Sequence, residues 1–200
     1  MALATLGETN RSMNYFVDVE KTQAAGTHIS NAQVDNYLKV EFDVAAENTL
    51  IDTLTKSAEE QAEEICNICI NTKDVTLRIT DAIREELSYL SFNLPYRGTI
   101  SSLVVKTVDE GTETTLASTQ YYVQGRNTLI IKDLNTVAGS WIITYTVAPS
   151  NLPIGLDAGI FKLIGDYYVN RTNDSIVPIS RISESTRSIL SPFEDTKAWL

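Results

Sequence analysis

The feature that most constrains this fold is an apolar stripe of helical spacing near the C-terminus. Its members recur every three or four positions, and they are Leu156, Ile160, Leu163, Ile164 and Tyr167. This spacing places the stripe on one face of an α-helix, and that face must be buried against another element. Pro153 lies just ahead of the stripe, where its missing N–H removes no helical hydrogen bond. The pattern predicts a helix that begins after Pro153 and needs a packing partner.

A longer amphipathic pattern, over about residues 46–70, can supply that partner. Its apolar face consists of Leu50, Ile51, Leu54, Ala58, Ala62, Ile65 and Cys69. Ala58 and Ala62 are small and lie four positions apart, so another helix can approach closely there. We therefore expect the two long helices to pack face to face. A shorter helix is predicted over about 30–39, with Ser30 as its N-cap.

The middle of the chain has a β pattern instead. Residues 74–80 alternate apolar and polar side chains, as expected for a half-buried strand. Further strands are predicted over 100–108, 120–123, 128–131 and 141–147, and turn sequences at 109–111, 125–127 and 138–140 separate them. Residues 81–90 are ambiguous, although Ile83, Leu87 and Leu90 favour a short helix. The predicted fold class is α+β, a helical scaffold with an antiparallel β-rich insertion.

The two helical ends of the chain resemble the head–tail connector (adaptor) proteins of tailed phages. In that family a helix ending in aromatic-x-x-Arg precedes a loop and a short Leu-x-Pro-aromatic segment. Here Tyr168 and Arg171 end the helical pattern, and the run Leu190-Ser191-Pro192-Phe193 follows the loop. The succession of residues 34–51, followed by a long Ala/Glu-rich helix, is similar to the N-terminal half of the same family.

The predicted β region resembles an insertion carried by some connector subfamilies. The features in common are Leu94-Pro95 ahead of a Val-rich strand, the pair Tyr121-Tyr122, and a Trp-containing strand that ends in Tyr145. Those relatives tend to have Gly soon after the last Tyr, whereas this chain has Thr146-Val147-Ala148-Pro149. The bend between the last strand and the following helix is therefore expected to differ.

The resemblance implies a structural protein of the virion, located at the head–tail junction and assembled in the host cytoplasm. It implies a homo-oligomeric ring, a dodecamer, that docks below the portal protein and above a downstream connector or tail protein. During DNA ejection the duplex would pass through the ring without sequence-specific binding. The expected parts are an N-terminal arm (1–28), a helical connector part (29–73), the β-rich insertion (74–148), a C-terminal helix and loop (149–193) and a tail (194–200).

Composition and charge set further limits. The formal net charge is −10 at pH 7, so the surface should repel the phosphate backbone of nucleic acids. The sequence has no apolar run long enough to span a bilayer and no opening signal-peptide pattern, so we expect a cytosolic chain without a membrane partner. The alternative from another class is a cytosolic β-domain binding module, for carbohydrate or peptide, with helical flanks.

The sequence predicts no catalytic, cofactor or metal site, and therefore no enzyme. Cys66 and Cys69 form a CxxC at the end of an acidic helix, where nothing lowers a thiol pKa, so we interpret them as core thiols. His28 is the one histidine, too few for a zinc site, and we interpret it as a surface or capping residue. None of the motifs GxSxG, Walker A, GxGxxG and HExxH occurs.

Glu59, Glu60, Glu63 and Glu64 are candidates for an acidic face of the long helix. In a ring, such a face would line the channel or meet basic groups of the next subunit. A divalent-ion site and a plain solvated face are the alternatives.

The C-terminus ends an otherwise polar tail with Trp199 and Leu200. Exposed apolar surface is usually partnered, and Trp is a preferred interface anchor. In the resembled family the C-terminal segment reaches toward the portal. We therefore expect Phe193, Trp199 and Leu200 to attach this subunit to the portal or to an adjacent copy. The alternative is that Trp199 folds back onto its own domain.

Overall fold

The computed structural model describes residues 3–4, 13–14, 16–23, 26–39, 45–80, 89–132, 140–170 and 183–194. These residues form two compact units, one helical and one built of β-strands. The helical unit is formed by Ala25–Asn71 and Asn151–Thr196, and most of the β unit lies between them in the sequence, at Thr72–Ser150. The predicted α+β fold class with a β-rich insertion is confirmed.

The described residues of the helical unit form four α-helices and one 3₁₀ turn. The helices are α1 (Asn31–Leu38), α2 (Ala45–Cys66), α3 (Leu156–Asn170) and α4 (Glu184–Leu190), and the 3₁₀ turn is Ser191–Phe193. At the start of α1, the backbone N–H of Ser30 donates to Gln33 Oε1 over 3.0 Å, which is half of a capping box. The described helices include none with the length and apolarity needed to cross a membrane.

The core of the helical unit lies where α2 packs on α3, as the two apolar stripes predicted. Its fully buried members include Ile51, Ala58 and Ala62 from α2, and Leu156, Ile160, Leu163 and Ile164 from α3. Leu54 is only partly buried. The small side chains of Ala58 and Ala62 permit this close approach.

The helix α2 ends at Cys66, four residues before the predicted end at residue 70. Asn67 has a φ of 52°, in the left-handed region where Asn is tolerated and where helices commonly stop. The apolar pattern continues past the helix because Ile68, Cys69 and Ile70 are also buried, although they are not helical. The apolar spacing therefore predicted the helix end too late, and the left-handed conformation of Asn67 marks where the helix stops.

Within the part of the β unit that the structure describes, ten strands form three antiparallel sheets. The strands are β1 (Leu3–Ala4), β2 (Met13–Asn14), β3 (Phe16–Gln23), β4 (Lys73–Thr80), β5 (Tyr89–Asn93), β6 (Thr99–Asp109), β7 (Thr112–Thr115), β8 (Tyr121–Gln124), β9 (Thr128–Lys132) and β10 (Ser140–Ala148). One sheet has the order β3-β4-β10-β6-β7, a second has β5-β9-β8, and β1 pairs with β2.

The central strand β10 shows the alternation that a half-buried strand requires. Its buried side chains are Trp141, Ile143, Tyr145 and Val147. Trp141 meets Phe92 of the three-stranded sheet with ring centroids 6.5 Å apart, and the Tyr145 hydroxyl donates to the Pro95 carbonyl over 2.9 Å. The apolar faces of the two larger sheets therefore share one core.

Several sequence predictions need correction or extension. The strand β7 was not predicted; it forms a hairpin with β6 through Glu110 and Gly111, whose φ angles of 47° and 84° suit a tight two-residue turn. Tyr89 and Leu90 belong to strand β5 rather than to a short helix, and residues 81–88 lie outside the described residues. Most of the predicted turn at 138–140 also lies outside them. The N-terminal region contributes β3, which is paired with β4 along its whole length.

Candidate functional site

The four glutamates of α2 do not share one environment. Glu60 and Glu64 are exposed, whereas Glu59 and Glu63 are 0 % exposed. The prediction of a single acidic surface is therefore wrong for Glu59 and Glu63, which lie beside Ala58 and Ala62 on the buried side of the helix. For Glu60 and Glu64 a role at the channel or at a subunit contact stays a prediction.

Glu63 binds the polypeptide that follows α2. Its Oε1 accepts hydrogen bonds from the backbone N–H of Ile70 over 2.7 Å and of Asn71 over 3.0 Å. A buried N–H without a partner costs free energy, so the carboxylate stabilises the non-helical segment after α2 by accepting from two of its backbone donors. Glu63 thereby fixes the path of the chain as it leaves the helical unit.

Glu59 joins two segments that are distant in the sequence. Its Oε1 accepts from the Ile29 N–H over 2.8 Å, and its Oε2 accepts from the Asn71 side-chain amide over 2.6 Å. Burial raises the pKa of the Glu59 carboxyl, although the hydrogen bonds from Ile29 and Asn71 act in the opposite direction. The two buried glutamates act as cross-links between α2 and its flanking segments. Among the described residues, no group of three or more His, Cys, Asp or Glu could hold a metal ion.

The CxxC thiols lie in the core, as predicted. Cys66 and Cys69 form no disulfide bond, and both are 0 % exposed. Cys66 Sγ lies 3.8 Å from the Leu190 carbonyl, and Cys69 Sγ lies 3.1 Å from the Asn71 carbonyl. Both thiols therefore pack as small core side chains.

His28 lies at the surface just before α1, and it has a partner that sequence spacing could not reveal. Its Nε2 is 3.0 Å from Asp157 Oδ1 in the first turn of α3, and the two side chains are 32 % and 43 % exposed. An exposed pair of this kind contributes about 0–1 kcal/mol. It serves to tie the segment before α1 to α3.

Residues 183–193, called here the C-terminal segment, are attached to α3 by a hydrogen-bonded carboxylate. Asp166 Oδ1 accepts from Lys162 Nζ over 2.6 Å, while Oδ2 accepts from the hydroxyls of Ser183 and Thr186, each over 2.8 Å. Ser183 also caps α4 by accepting from the Thr186 N–H over 3.2 Å. Burial alone would raise the pKa of Asp166, but the bonds from Lys162, Thr186 and Ser183 together lower it.

The C-terminal segment also packs into a shallow groove at two glycines, Gly159 within α3 and Gly155 immediately before it. A Cβ added to Gly159 would lie 2.3 Å from Leu190 Cδ2, and one added to Gly155 would lie 2.7 Å from the Phe193 ring. Leu190 is 0 % exposed. Glycine in a helix interior costs about 1 kcal/mol relative to alanine, so the presence of Gly159 within α3 reflects the close approach of Leu190.

This placement changes the interpretation of Phe193 as an interface residue. Its ring is partly buried against the core of its own helical unit, over Gly155. The contact accounts for the aromatic residue within one chain and leaves Trp199 and Leu200 as the candidate anchors. Both of these lie outside the described residues, so their role stays a prediction.

The hydrogen bonds of Asp166 predict a pH dependence. Because folding lowers its pKa, the ionised carboxylate stabilises the folded state above the ordinary value of 3.8, and this contribution is lost as the pH falls through the folded pKa. We expect Asp166→Asn to cost on the order of 1–2 kcal/mol at neutral pH and nothing in strong acid. Urea unfolding of both proteins from pH 7 to pH 2, monitored by circular dichroism, measures the difference. A difference that does not change with pH would contradict this role.

Several large apolar side chains lie at the surface and could contribute to assembly. They are Val19, Tyr37, Tyr122, Ile154 and Val169. Tyr37 stacks on Phe161 of α3 with ring centroids 5.1 Å apart, and Lys132 Nζ lies 4.5 Å from the centre of the Tyr122 ring. Such residues occur singly on most proteins, so their presence alone identifies no site.

Comparisons with known proteins show the fold. No protein-family model and no curated protein matches the sequence. A chain in the neck of an empty gene transfer agent (GTA) particle, computed with C6 symmetry, is similar with a TM-score of 0.59 and 17% identity, over 88% of this chain and 95% of that chain. A chain in the virion of a native GTA particle is similar with a TM-score of 0.61 and 17% identity, over 87% and 94%. The protein described here has the fold of these two particle chains.

Proposed function

We propose that this protein is a structural component of the neck of a phage-like particle, where it forms a head–tail connector ring. The observation that carries the proposal is the extent of the fold similarity, which covers 88% of this chain and 95% of a neck chain. Such coverage includes both the helical and the β unit, so the likeness is not confined to one common domain.

The proposed ring contains twelve copies, docks below the portal protein and contacts a downstream connector or tail protein. The similar neck structure was computed with C6 symmetry, which is compatible with rings of six or twelve copies. The ring would be assembled in the host cytoplasm and become part of the virion. Glu60 and Glu64, the exposed glutamates of α2, are the proposed residues of the channel or of the contact between copies.

Native mass spectrometry of the purified protein, alone and with the cognate portal protein, tests this proposal. We expect a closed ring of six or twelve copies, either spontaneously or when portal is added. A protein that stays monomeric with and without portal would contradict the proposal and favour the β-domain binding module. The head completion protein of an unrelated phage, mixed with the same portal, controls for unspecific association.

A connector channel that lets DNA slide should not hold it. With a net charge of −10 per copy, a ring of twelve copies would carry a formal charge of about −120. We expect no measurable binding of duplex DNA at physiological salt, as measured by fluorescence anisotropy. If Glu60 and Glu64 line the channel, the double variant Glu60→Lys/Glu64→Lys should bind DNA in a salt-dependent manner. Micromolar, salt-sensitive binding by the unmodified ring would contradict the prediction.

The last residues are proposed to anchor the subunit on the portal. Because Phe193 is accounted for within the helical unit, the deletion that isolates the anchor removes residues 195–200 and keeps Phe193. We expect the truncated protein to stay folded and to lose portal binding, as measured by co-sedimentation and circular dichroism. Trp199→Ala alone should weaken binding, with Lys197→Ala as the matched control. Normal docking of the truncated protein would place the anchor elsewhere, and unfolding would assign Trp199 to the subunit's own core.

A further inference from the structure

The strand β3 forms one end of the five-stranded sheet. Its residues pair with β4 from Phe16↔Thr80 to Gln23↔Lys73, and no other described strand pairs with it. In an antiparallel pair the backbone N–H and C=O groups of alternate residues point away from the partner strand. The outer side of β3 therefore presents a row of backbone donors and acceptors to whatever lies beside it.

This edge is longer than the other described edges of the two larger sheets. β3 has 8 residues, whereas β7, at the opposite end of the same sheet, has 4, and the edge strands of the three-stranded sheet have 5 and 4. Residues 18–22 of β3 are all exposed. Long exposed edges promote uncontrolled pairing, so natural proteins cover them or select what can pair with them.

The two faces of β3 have different chemistry. Asp18 and Glu20 lie on the outer face of the sheet, where Arg78 is opposite Asp18 in register and 3.8 Å from Glu20. Two carboxylates thus lie near one guanidinium, and this face of the edge is acidic. Lys21 belongs to the opposite face of β3, where its Nζ lies 5.6 Å from the centre of the Tyr96 ring. The other face continues the core: Val19 is paired with Leu77, but Val19 is 41% exposed whereas Leu77 is 3% exposed. The apolar face of the sheet thus extends to β3, where the Val19 side chain is partly exposed.

These charges disfavour pairing between two copies of the strand. An antiparallel pair of β3 strands centred on Val19 would set Asp18 opposite Glu20, and one centred on Glu20 would set that residue opposite itself. Like charges directly opposite each other destabilise a sheet. The same carboxylates favour a neighbouring strand with basic side chains. They therefore favour a basic partner strand over a second copy of β3.

We propose that the free edge of β3 binds an extended segment of another protein as an added strand, with Lys or Arg alternating with apolar residues in that segment. The basic side chains would lie beside Asp18 and Glu20, and an apolar side chain would cover Val19. Backbone hydrogen bonds along the edge supply affinity, and the alternation supplies specificity. This inference goes beyond the proposed neck function and does not depend on it.

The test uses the full chain and two labelled nine-residue peptides. In one peptide Lys alternates with Val, and in the other Glu replaces each Lys. We expect the Lys peptide to bind in a titration to about 1 mM, measured by fluorescence anisotropy. We also expect it to slow amide hydrogen exchange in residues 16–23. The Glu peptide should do neither. Absence of slowed exchange in β3, or equal binding of both peptides, would overturn the proposal.

Charge reversal supplies the matched variants. Asp18→Lys/Glu20→Lys should bind the Lys peptide at least about 10-fold more weakly and should gain binding of the Glu peptide. Asp109→Lys/Glu110→Lys makes the same change in net charge on exposed residues between β6 and β7, and should leave Lys-peptide binding within about twofold. An equal loss in both variants would assign binding to net charge and overturn the proposal. Protection of β3 that rises with protein concentration alone would identify a second copy as the occupant and overturn it too.

Discussion

Replacing Glu63 by alanine is expected to lower the free energy of unfolding by about 2–5 kcal/mol. The carboxylate accepts from the backbone N–H groups of Ile70 and Asn71, and its removal leaves both donors without this partner. Each buried donor that loses its partner costs about 1–3 kcal/mol. Urea unfolding monitored by far-UV circular dichroism measures the loss.

Two matched variants separate the hydrogen bonds from the charge and from the helix itself. Glu63→Gln keeps an oxygen at the accepting position and should cost about 1 kcal/mol, since a neutral acceptor forms weaker bonds than a carboxylate. Glu64→Ala removes an exposed neighbour and should change stability by under about 0.5 kcal/mol. Equal effects of Glu63→Ala and Glu64→Ala would show that Glu63 lies on the surface.

Truncating Leu190 to alanine is the second large expected effect, at about 2–5 kcal/mol. This side chain is 0 % exposed and fills the groove at Gly159, so its removal leaves a cavity between α3 and the C-terminal segment. The segment should also open locally, which faster amide exchange over residues 184–190 would reveal. Ser188→Ala changes an exposed position of the same helix and serves as the control.

A double-mutant cycle tests whether Gly159 and Leu190 are complementary in size. Gly159→Ala alone should cost about 1–3 kcal/mol, because the new methyl overlaps Leu190. In the Leu190→Ala background the same methyl enters a cavity, so the double variant should be more stable than the sum of the single effects predicts. Additive effects would contradict the proposed contact. Because both variants keep the Asp166 hydrogen bonds, the cycle measures the packing in the groove separately from those bonds.

These predictions concern the part of the molecule from which the C-terminal tail leaves. The Asp166 bonds and the glycine groove fix the C-terminal segment on α3, and Phe193 marks the end of that attachment. In the proposed neck ring, portal binding by the tail would depend on this attachment of the C-terminal segment to α3. A variant that detaches the segment should therefore reduce portal docking even when residues 195–200 are present.

Elements with strong periodicity could be predicted from the sequence. The stripe from Leu156 to Tyr167 and the face from Leu50 to Ala62 indicated α3 and α2, because side chains three or four positions apart share a helix face. Alternation indicated β4 and β10, and Ser30 indicated the start of α1. The burial of Cys66 and Cys69 followed from their apolar neighbours in the sequence.

Features that depend on distant partners could not be predicted in this way. Nothing local distinguishes Glu59 and Glu63 from Glu60 and Glu64, since the donors at Ile29 and Asn71 are brought to α2 only by folding. The same holds for the contact between His28 and Asp157, which are 129 positions apart, and for the short helix α4.

The sequence by itself determined the α+β class, the two long helices, the principal strands and the acidic, thiol-poor surface. Each of these depends on spacing within one segment, where backbone geometry relates neighbouring side chains. Only the tertiary structure decided that Glu59 and Glu63 are buried cross-links, that Phe193 lies on Gly155 within its own unit, and that β3 is the last of the described strands in its sheet. The reason is physical: burial, hydrogen-bond partners and strand order are relations between distant segments, and chain collapse, not local spacing, establishes them.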